Sequence, residues 1–202
     1  NSTEQNPQGV IFAAVGEYGV ILTVQEHICS DEDETTVVTF PRPVAYFSHQ
    51  KLAGCSPLWV LLLDSSYSAT NREITWDLGN GIIESGPHVI HAYTEPGFYD
   101  VEITISTSEG CVDTVSYLFE NAIEVYPLPG GLVSAEPDRQ LLVDPVFQFS
   151  GSDSQASTCE LLTGDGAFLQ DTSANCIFQH TYADTGTYNA VMVFTDDNGC
   201  IS

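Results

Sequence analysis

For chemistry this chain of 202 residues offers 28 aspartates and glutamates, 4 lysines and arginines, 5 histidines and 6 cysteines. Two carboxylates some ~5–10 Å apart can hydrolyse a glycosidic bond, and among so many acids such a pair stays open. A Ser-His-Asp order around a nucleophile elbow is absent, and no histidine pair has zinc-site spacing. The histidines are His27, His49, His88, His91 and His180. His91 and His180 each stand two residues before a tyrosine in matching surroundings, which suits a role in the fold better than proton transfer. The run Asp31-Glu32-Asp33-Glu34 is the candidate calcium site, but it lacks the ordered ligand spacing of an EF-hand loop. No catalytic residue emerges, and the expectation is a chain that is not an enzyme.

A formal net charge of −24 narrows the partners. Nucleic acid and anionic membranes are poor partners, because phosphate-neutralising cations are scarce. Two readings of the acidity stay open. It keeps a secreted protein soluble in salty water, or its carboxylates gather divalent cations. Calcium is therefore the one candidate cofactor. No apolar run approaches the ~18 residues of a membrane span, so no membrane insertion is expected. With 43% hydrophobic residues the chain has enough for compact cores.

The elements around these residues are strands. In Ile74-Thr-Trp-Asp-Leu-Gly-Asn-Gly81, Ile74, Trp76 and Leu78 alternate with polar neighbours, as in a half-buried strand. Gly79-Asn80-Gly81 then ends it in a turn that needs positive φ. Asp77 is placed to accept backbone N–H groups of that turn. Tyr99, Val101, Ile103 and Ile105 form a second alternating strand, and a tyrosine there can fix a corner by bonding upstream backbone. Leu161-Leu-Thr-Gly164-Asp165-Gly166, His180-Thr-Tyr182 and Gly186-Thr-Tyr188 spell the same pattern again, with Asp165 in place of Asn80. A partial copy opens the chain at Val10–Phe12 and Gly16-Glu-Tyr-Gly-Val20. The Gly-x-Tyr glycines are spaced 97 − 16 = 81 and 186 − 97 = 89, and the cysteines that follow them 111 − 29 = 82 and 200 − 111 = 89. Two markers with one period establish an internal repeat.

Trp76-Asp-Leu-Gly-Asn-Gly81, His91-Ala-Tyr93 and Gly97-Phe-Tyr-Asp-Val101 resemble the signature of the PKD (polycystic kidney disease) domain, an immunoglobulin-like β-sandwich. Gly54-Cys-Ser-Pro-Leu58, Gly110-Cys-Val-Asp-Thr114 and Val125-Tyr-Pro-Leu-Pro129 are similar to words of tandem PKD arrays in secreted Bacteroidetes surface proteins, among them gliding-motility adhesins exported by the type IX system. The resemblance implies an all-β chain of tandem PKD-type sandwiches arranged end to end. It implies an extracellular, cell-surface location. The implied partners are neighbouring repeats of the same chain and surface polysaccharide or other cell-surface proteins.

The repeat divides the chain into the C-terminal part of a PKD-like domain at 1–42, a complete domain at 43–128, and a domain lacking its last strand at 129–202. Strands are expected at 10–12, 18–24 and 35–40, with the acidic run at the solvated start of the last of these. In the middle copy they fall near 44–48, 58–64, 73–78, 88–93, 98–106 and 111–125, the last one broken. In the final copy they fall near 132–135, 141–149, 159–163, 176–182 and 187–195, with a hairpin turn at Asp196–Gly199. Helix content should be very low. Pro41-Arg-Pro43 and Pro127–Gly131 read as stiff junctions. Because the outer copies lack strands, the expectation is a window on a longer repetitive protein, with strand exchange between chains as the alternative.

Six cysteines without a Cys-x-x-Cys metal pattern point to oxidising surroundings. Cys159 and Cys176, confined to the last copy at the starts of two strands entering from one end, are expected to bond to each other. In an immunoglobulin-like sandwich the turns holding Cys55 and Cys111 lie at opposite ends. In a head-to-tail array Cys55 instead comes near Cys200, so a Cys55–Cys200 clasp is expected, with Cys29 and Cys111 turned toward upstream cysteines. The expected scaffold residues are Trp76, Asp77, Gly79, Gly81, Tyr99, Gly164, Asp165, Gly166 and Tyr188. Two functions follow: a non-enzymatic stalk or adhesin segment serving extension, adhesion or gliding, or an accessory, carbohydrate-binding module of a secreted hydrolase.

Overall fold

The computed structural model describes residues 2–47, 52–108, 113–139, 146–153, 155–172 and 175–202. These residues are all β, without a helix. His49 and Cys111 lie outside the described residues. The chain divides into two compact units, Asn1–Gln50 with Leu61–Ile90 and Tyr99–Ala122, and Lys51–Val60 with His91–Phe98 and Ile123–Ser202.

In the first unit, β1 (Gly16–Glu26) and β2 (Cys29–Thr39) form an antiparallel two-stranded ribbon in unbroken register from Gly16↔Thr39 to Glu26↔Cys29. Two residues join them, and His27 takes φ 52 in the turn. The second of these strands starts six residues before the expected Thr35. Each acid of the 31–34 run has a partner on β1, and both ribbon faces are open to water, so strand pairing leaves the charges solvated. Val10–Phe12 is not a strand. Such a short run finds no backbone partner; Phe12 instead packs its ring on Tyr18 at 4.6 Å.

β3 (Leu52–Cys55), β9 (Thr114–Tyr126), β8 (Gly97–Thr107), β5 (Arg72–Asp77) and β6 (Ile83–Ser85) pair in that order, with β3 parallel to β9. β4 (Leu58–Leu63) and β7 (His88–Tyr93) pair separately. Period-two alternation shows in β4, where Val60 and Leu62 are buried and Trp59, Leu61 and Leu63 are exposed. Within the first unit Phe47, Leu62, Trp76, Leu78, Val89, Val101, Ile103 and Ile105 are buried. Phe47 meets the Trp76 ring edge-on at 5.3 Å, and Trp76 Nε1 donates to the Gly86 carbonyl at 2.9 Å, so the large ring is buried with its one polar atom satisfied.

Three expectations about the middle copy change. The strand at 44–48 is reduced to single bridges, Val44↔Tyr67 and Phe47↔Asp64. Prolines at 41 and 43 deny this segment regular ladder donors. The described part of the strand at 111–125 is unbroken from Thr114 to Tyr126. Asn121 takes φ 50 and donates its N–H to Asp100 Oδ1 at 2.6 Å, absorbing the irregularity inside the strand. β3 and β6 were not expected, because four and three residues are too few to show a period.

In the second unit, β10 (Leu132–Glu136), β11 (Val146–Ser152) and β14 (Ile177–Thr181) form one sheet. β13 (Phe168–Asp171), β12 (Ala156–Leu162) and β15 (Val191–Asp196) form another. Phe149, Leu161, Phe178, Tyr182, Met192 and Phe194 cluster as its core. β15 begins at Val191 and not at 187, which leaves Tyr188 in the approach to the strand. Asp196–Gly199 makes the expected reversal, with Gly199 at φ 81 and Asp196 Oδ1 accepting the Asn198 and Cys200 amides. Pro129 of the second junction is buried.

Candidate functional site

The repeated turn is built twice around the same two glycines, with Leu162 in the last copy standing where Asp77 stands in the middle one. In the middle copy Asp77 Oδ1 accepts the Gly79 amide at 2.9 Å and Asn80 Oδ1 accepts the Ile82 amide at 3.2 Å. Gly79 and Gly81 take φ 75 and 83. In the last copy Gly164 and Gly166 take φ 88 and 98, and Asp165 Oδ1 accepts the Ala167 amide at 3.1 Å. Asp165 thus does for its turn what Asn80 does for the earlier one. Both first glycines also lie against backbone. A Cβ on Gly79 would strike the Asp100 carbonyl, and one on Gly164 would come within 2.7 Å of the Asn189 carbonyl.

Replacing Asn80 by Asp165 adds charge. Asp165 Oδ2 lies 2.7 Å from His180 Nε2, and Oδ1 also accepts the Thr163 hydroxyl at 2.5 Å. The Thr163 hydroxyl and the His180 contact hold the Asp165 carboxyl down at about 2. The His180 ring stands edge-on to Tyr182 at 4.6 Å, and Tyr182 stacks on Tyr188 at 4.0 Å. Tyr182 donates its hydroxyl to the Thr163 carbonyl at 2.7 Å. Burial, then the neighbouring Asp165 charge, raises the Tyr182 hydroxyl above its ordinary value. His180 is therefore held in a network with Thr163, Asp165 and Tyr182 that ties the turn to the sheet. His91 stands edge-on to Tyr93 at 4.8 Å in the middle copy, the same pairing.

Tyrosine corners occur where the repeat places them: Tyr18 donates to the Ala14 carbonyl at 2.7 Å and Tyr188 to the Asp184 carbonyl at 3.0 Å, each four residues upstream. Tyr99 stands at the equivalent position in β8.

The four disulfide candidates form two bonds, both inside the second unit. Cys159 and Cys176 are joined with Cα atoms 5.4 Å apart. Cys159 lies within β12, not at its start, so the bond runs from one sheet of this sandwich to the other through a fully buried site. Cys55, at the end of β3, is joined to Cys200 with Cα atoms 5.5 Å apart and a sequence separation of 145. This bond links the 43–128 segment to the 129–202 segment. Cys29 is an exposed free thiol.

The acidic run does not gather. Neighbouring strand residues point to opposite faces, so Asp31 and Asp33 lie on one face of the ribbon and Glu32 and Glu34 on the other. Glu32 Oε1 accepts the Thr23 hydroxyl at 3.2 Å. Among the described residues, no group of three or more His, Cys, Asp or Glu side chains is placed to hold a metal. His27 is exposed in the ribbon turn and His88 at the start of β7. Sequence reading missed an ion pair at the surface, with the acid side chain tucked inward. Arg72 Nη2 meets Asp64 Oδ2 at 2.6 Å, and the Asp64 side chain is only 2% exposed. Burial alone would raise this carboxyl, but hydrogen bonds from Arg72 and Ser66 hold it below the usual carboxylate value.

Among curated proteins nothing matches the chain. Of solved structures, the PKD1 domain of Vibrio anguillarum Epp is similar at 26% identity, over 43% of this chain and 99% of that one, with a TM-score of 0.33. The fibronectin(III)-like modules of Clostridium thermocellum CbhA are similar at 13% identity, over 80% of this chain and 89% of theirs, with a TM-score of 0.37. The PKD domain family model matches residues 51–116, which hold Trp76, the Gly79–Gly81 turn and the Gly97-Phe98-Tyr99 word.

Proposed function

We propose that the chain is a non-enzymatic stalk or adhesin segment of a large repetitive cell-surface protein, built from PKD-like repeats in series and working outside the cell. A secreted Bacteroidetes surface protein of the gliding-adhesin kind is the source this reading implies. One observation carries it: a covalent bond, Cys55–Cys200, spans two consecutive repeats. A reaction does not need such a bond. A segment that transmits load does, because it takes the junction between repeats out of the mechanical path. The repeats serve as one another's partners, and neither calcium nor another cofactor is required.

Single-molecule pulling from the two termini tests this reading. With the bond intact, unfolding should release far less chain than 202 residues allow; reductant should add roughly 500 Å, the extended length of the enclosed loop. Equal extension with and without reductant counts against a load-bearing role.

Trp59 favours the alternative, an accessory module of a secreted hydrolase with polysaccharide as ligand. It stands 69% exposed on β4 beside Leu61 and Leu63, an arrangement suited to stacking on a sugar ring. Retention on insoluble polysaccharide that Trp59→Ala abolishes would favour this reading over the stalk.

A further inference from the structure

Among the described residues, β1 carries an apolar face and a backbone edge without a partner, and the other copies show what belongs there. By the 81-residue step, Val20, Leu22 and Val24 of β1 stand at the positions of Val101, Ile103 and Ile105 of β8. Those three β8 residues are 0% exposed, whereas Val20 is 40%, Leu22 60% and Val24 58% exposed. The ribbon contains β1 and β2 alone, so alternate N–H and C=O groups along the outer edge of β1 meet no strand among the described residues.

In the middle copy the equivalent edge of β8 is filled by β5, antiparallel, with Trp76 opposite Ile103 and Ile74 opposite Ile105. The last copy repeats the pairing. β12 lies on β15, with Leu161 opposite Met192 and Cys159 opposite Phe194. One strand pair in one register thus occurs twice, and its third acceptor is open. We propose that β1 is an acceptor for a strand of the β5 type from a further PKD-like segment of the same protein. It docks antiparallel, with a large apolar residue opposite Leu22 and an aliphatic residue opposite Val24. This docking combines ladder hydrogen bonds with burial of alternate side chains, the two contributions that make strand addition specific. The proposal is independent of the load-bearing reading.

The test fuses a copy of residues 71–81 through a flexible Gly/Ser linker ahead of residue 1 of the full chain, so that docking is intramolecular. NMR and hydrogen exchange follow the ribbon. The expected result is at least ten-fold slower exchange of alternate β1 amides and a ring-current shift of the Leu22 methyls. Replacing the fused copy's tryptophan by serine removes the shift. Unchanged β1 amides would overturn the proposal, as would protection of β2 alone. So would concentration-dependent protection in the unfused chain, because a second copy's ribbon would then be the occupant.

Discussion

Asp165 and His180 meet at 2.7 Å at the turn where the preceding repeat uses the neutral Asn80. A neutral hydrogen-bond acceptor has become a charged one without loss of its backbone bond.

This exchange should make the last repeat acid-sensitive. Asp165 titrates at about 2 in the folded chain and near the ordinary aspartate value of 3.8 when unfolded. A lowered folded value stabilises the fold above the unfolded pKa, and that stability is lost as pH falls from about 4 through about 2. Asp165→Asn keeps an acceptor for the Ala167 amide but does not titrate. Urea unfolding of the variant should therefore lose that part of the pH slope between about pH 4 and about pH 2, while the circular dichroism spectrum at neutral pH stays that of the parent.

Cutting the Cys55–Cys200 bond removes the closure of a 145-residue loop, worth about 5 kcal/mol in the chain-entropy picture. Cys55→Ser should lower the denaturant midpoint more than Cys159→Ser, whose 17-residue loop is worth about 3 kcal/mol on the same scale. Equilibrium denaturation of the two variants compares them directly.

Gly79 and Gly81 separate backbone conformation from space. Gly81 has positive φ and nothing within 4 Å of where a methyl group would stand, so Gly81→Ala should cost about 1–2 kcal/mol. Gly79→Ala adds a collision with the Asp100 carbonyl and should cost clearly more, read as the difference between two thermal unfolding midpoints.

Arg72→Met takes the guanidinium from Asp64 Oδ2 and leaves that carboxylate only its Ser66 hydrogen bonds. A loss of about 2 kcal/mol is expected at neutral pH. Because Asp64 titrates below its ordinary value when folded, the gap from the parent should narrow as pH falls below about 4.

Chelation should change little. Asp31 and Asp33 face away from Glu32 and Glu34, so EDTA should move the melting temperature by no more than about 2 °C, the shift of a half-filled site. A larger fall that calcium alone restores would establish a calcium site.

β5 and β8 were legible in the sequence as alternating strands and β4 as a short apolar run; these and β7 lie within a residue or so of their expected places. Short edge strands such as β3, β6 and β13 were not, because their neighbours and not their own pattern hold them extended. The turn glycines and Asp77 announced themselves by residue type. His180 and Tyr182 were visible as a spaced pair, but their meeting with Asp165 and Thr163 depends on sheet pairing that no local signal carries. Arg72 and Asp64 stand eight residues apart with no periodic relation, so nothing marked them. Of the clasp, Cys200 could be placed because Cys29 and Cys111 are its equivalents in the other copies, and Cys55, which has none, by its position ahead of the second strand of the middle copy.

The Cys55–Cys200 bond also bears on survival among proteases. A backbone cut anywhere between these residues, including the exposed turn at Asp197–Asn198, leaves both fragments in one covalent molecule. Clipping that would shed the distal part of an open chain here only nicks a ring.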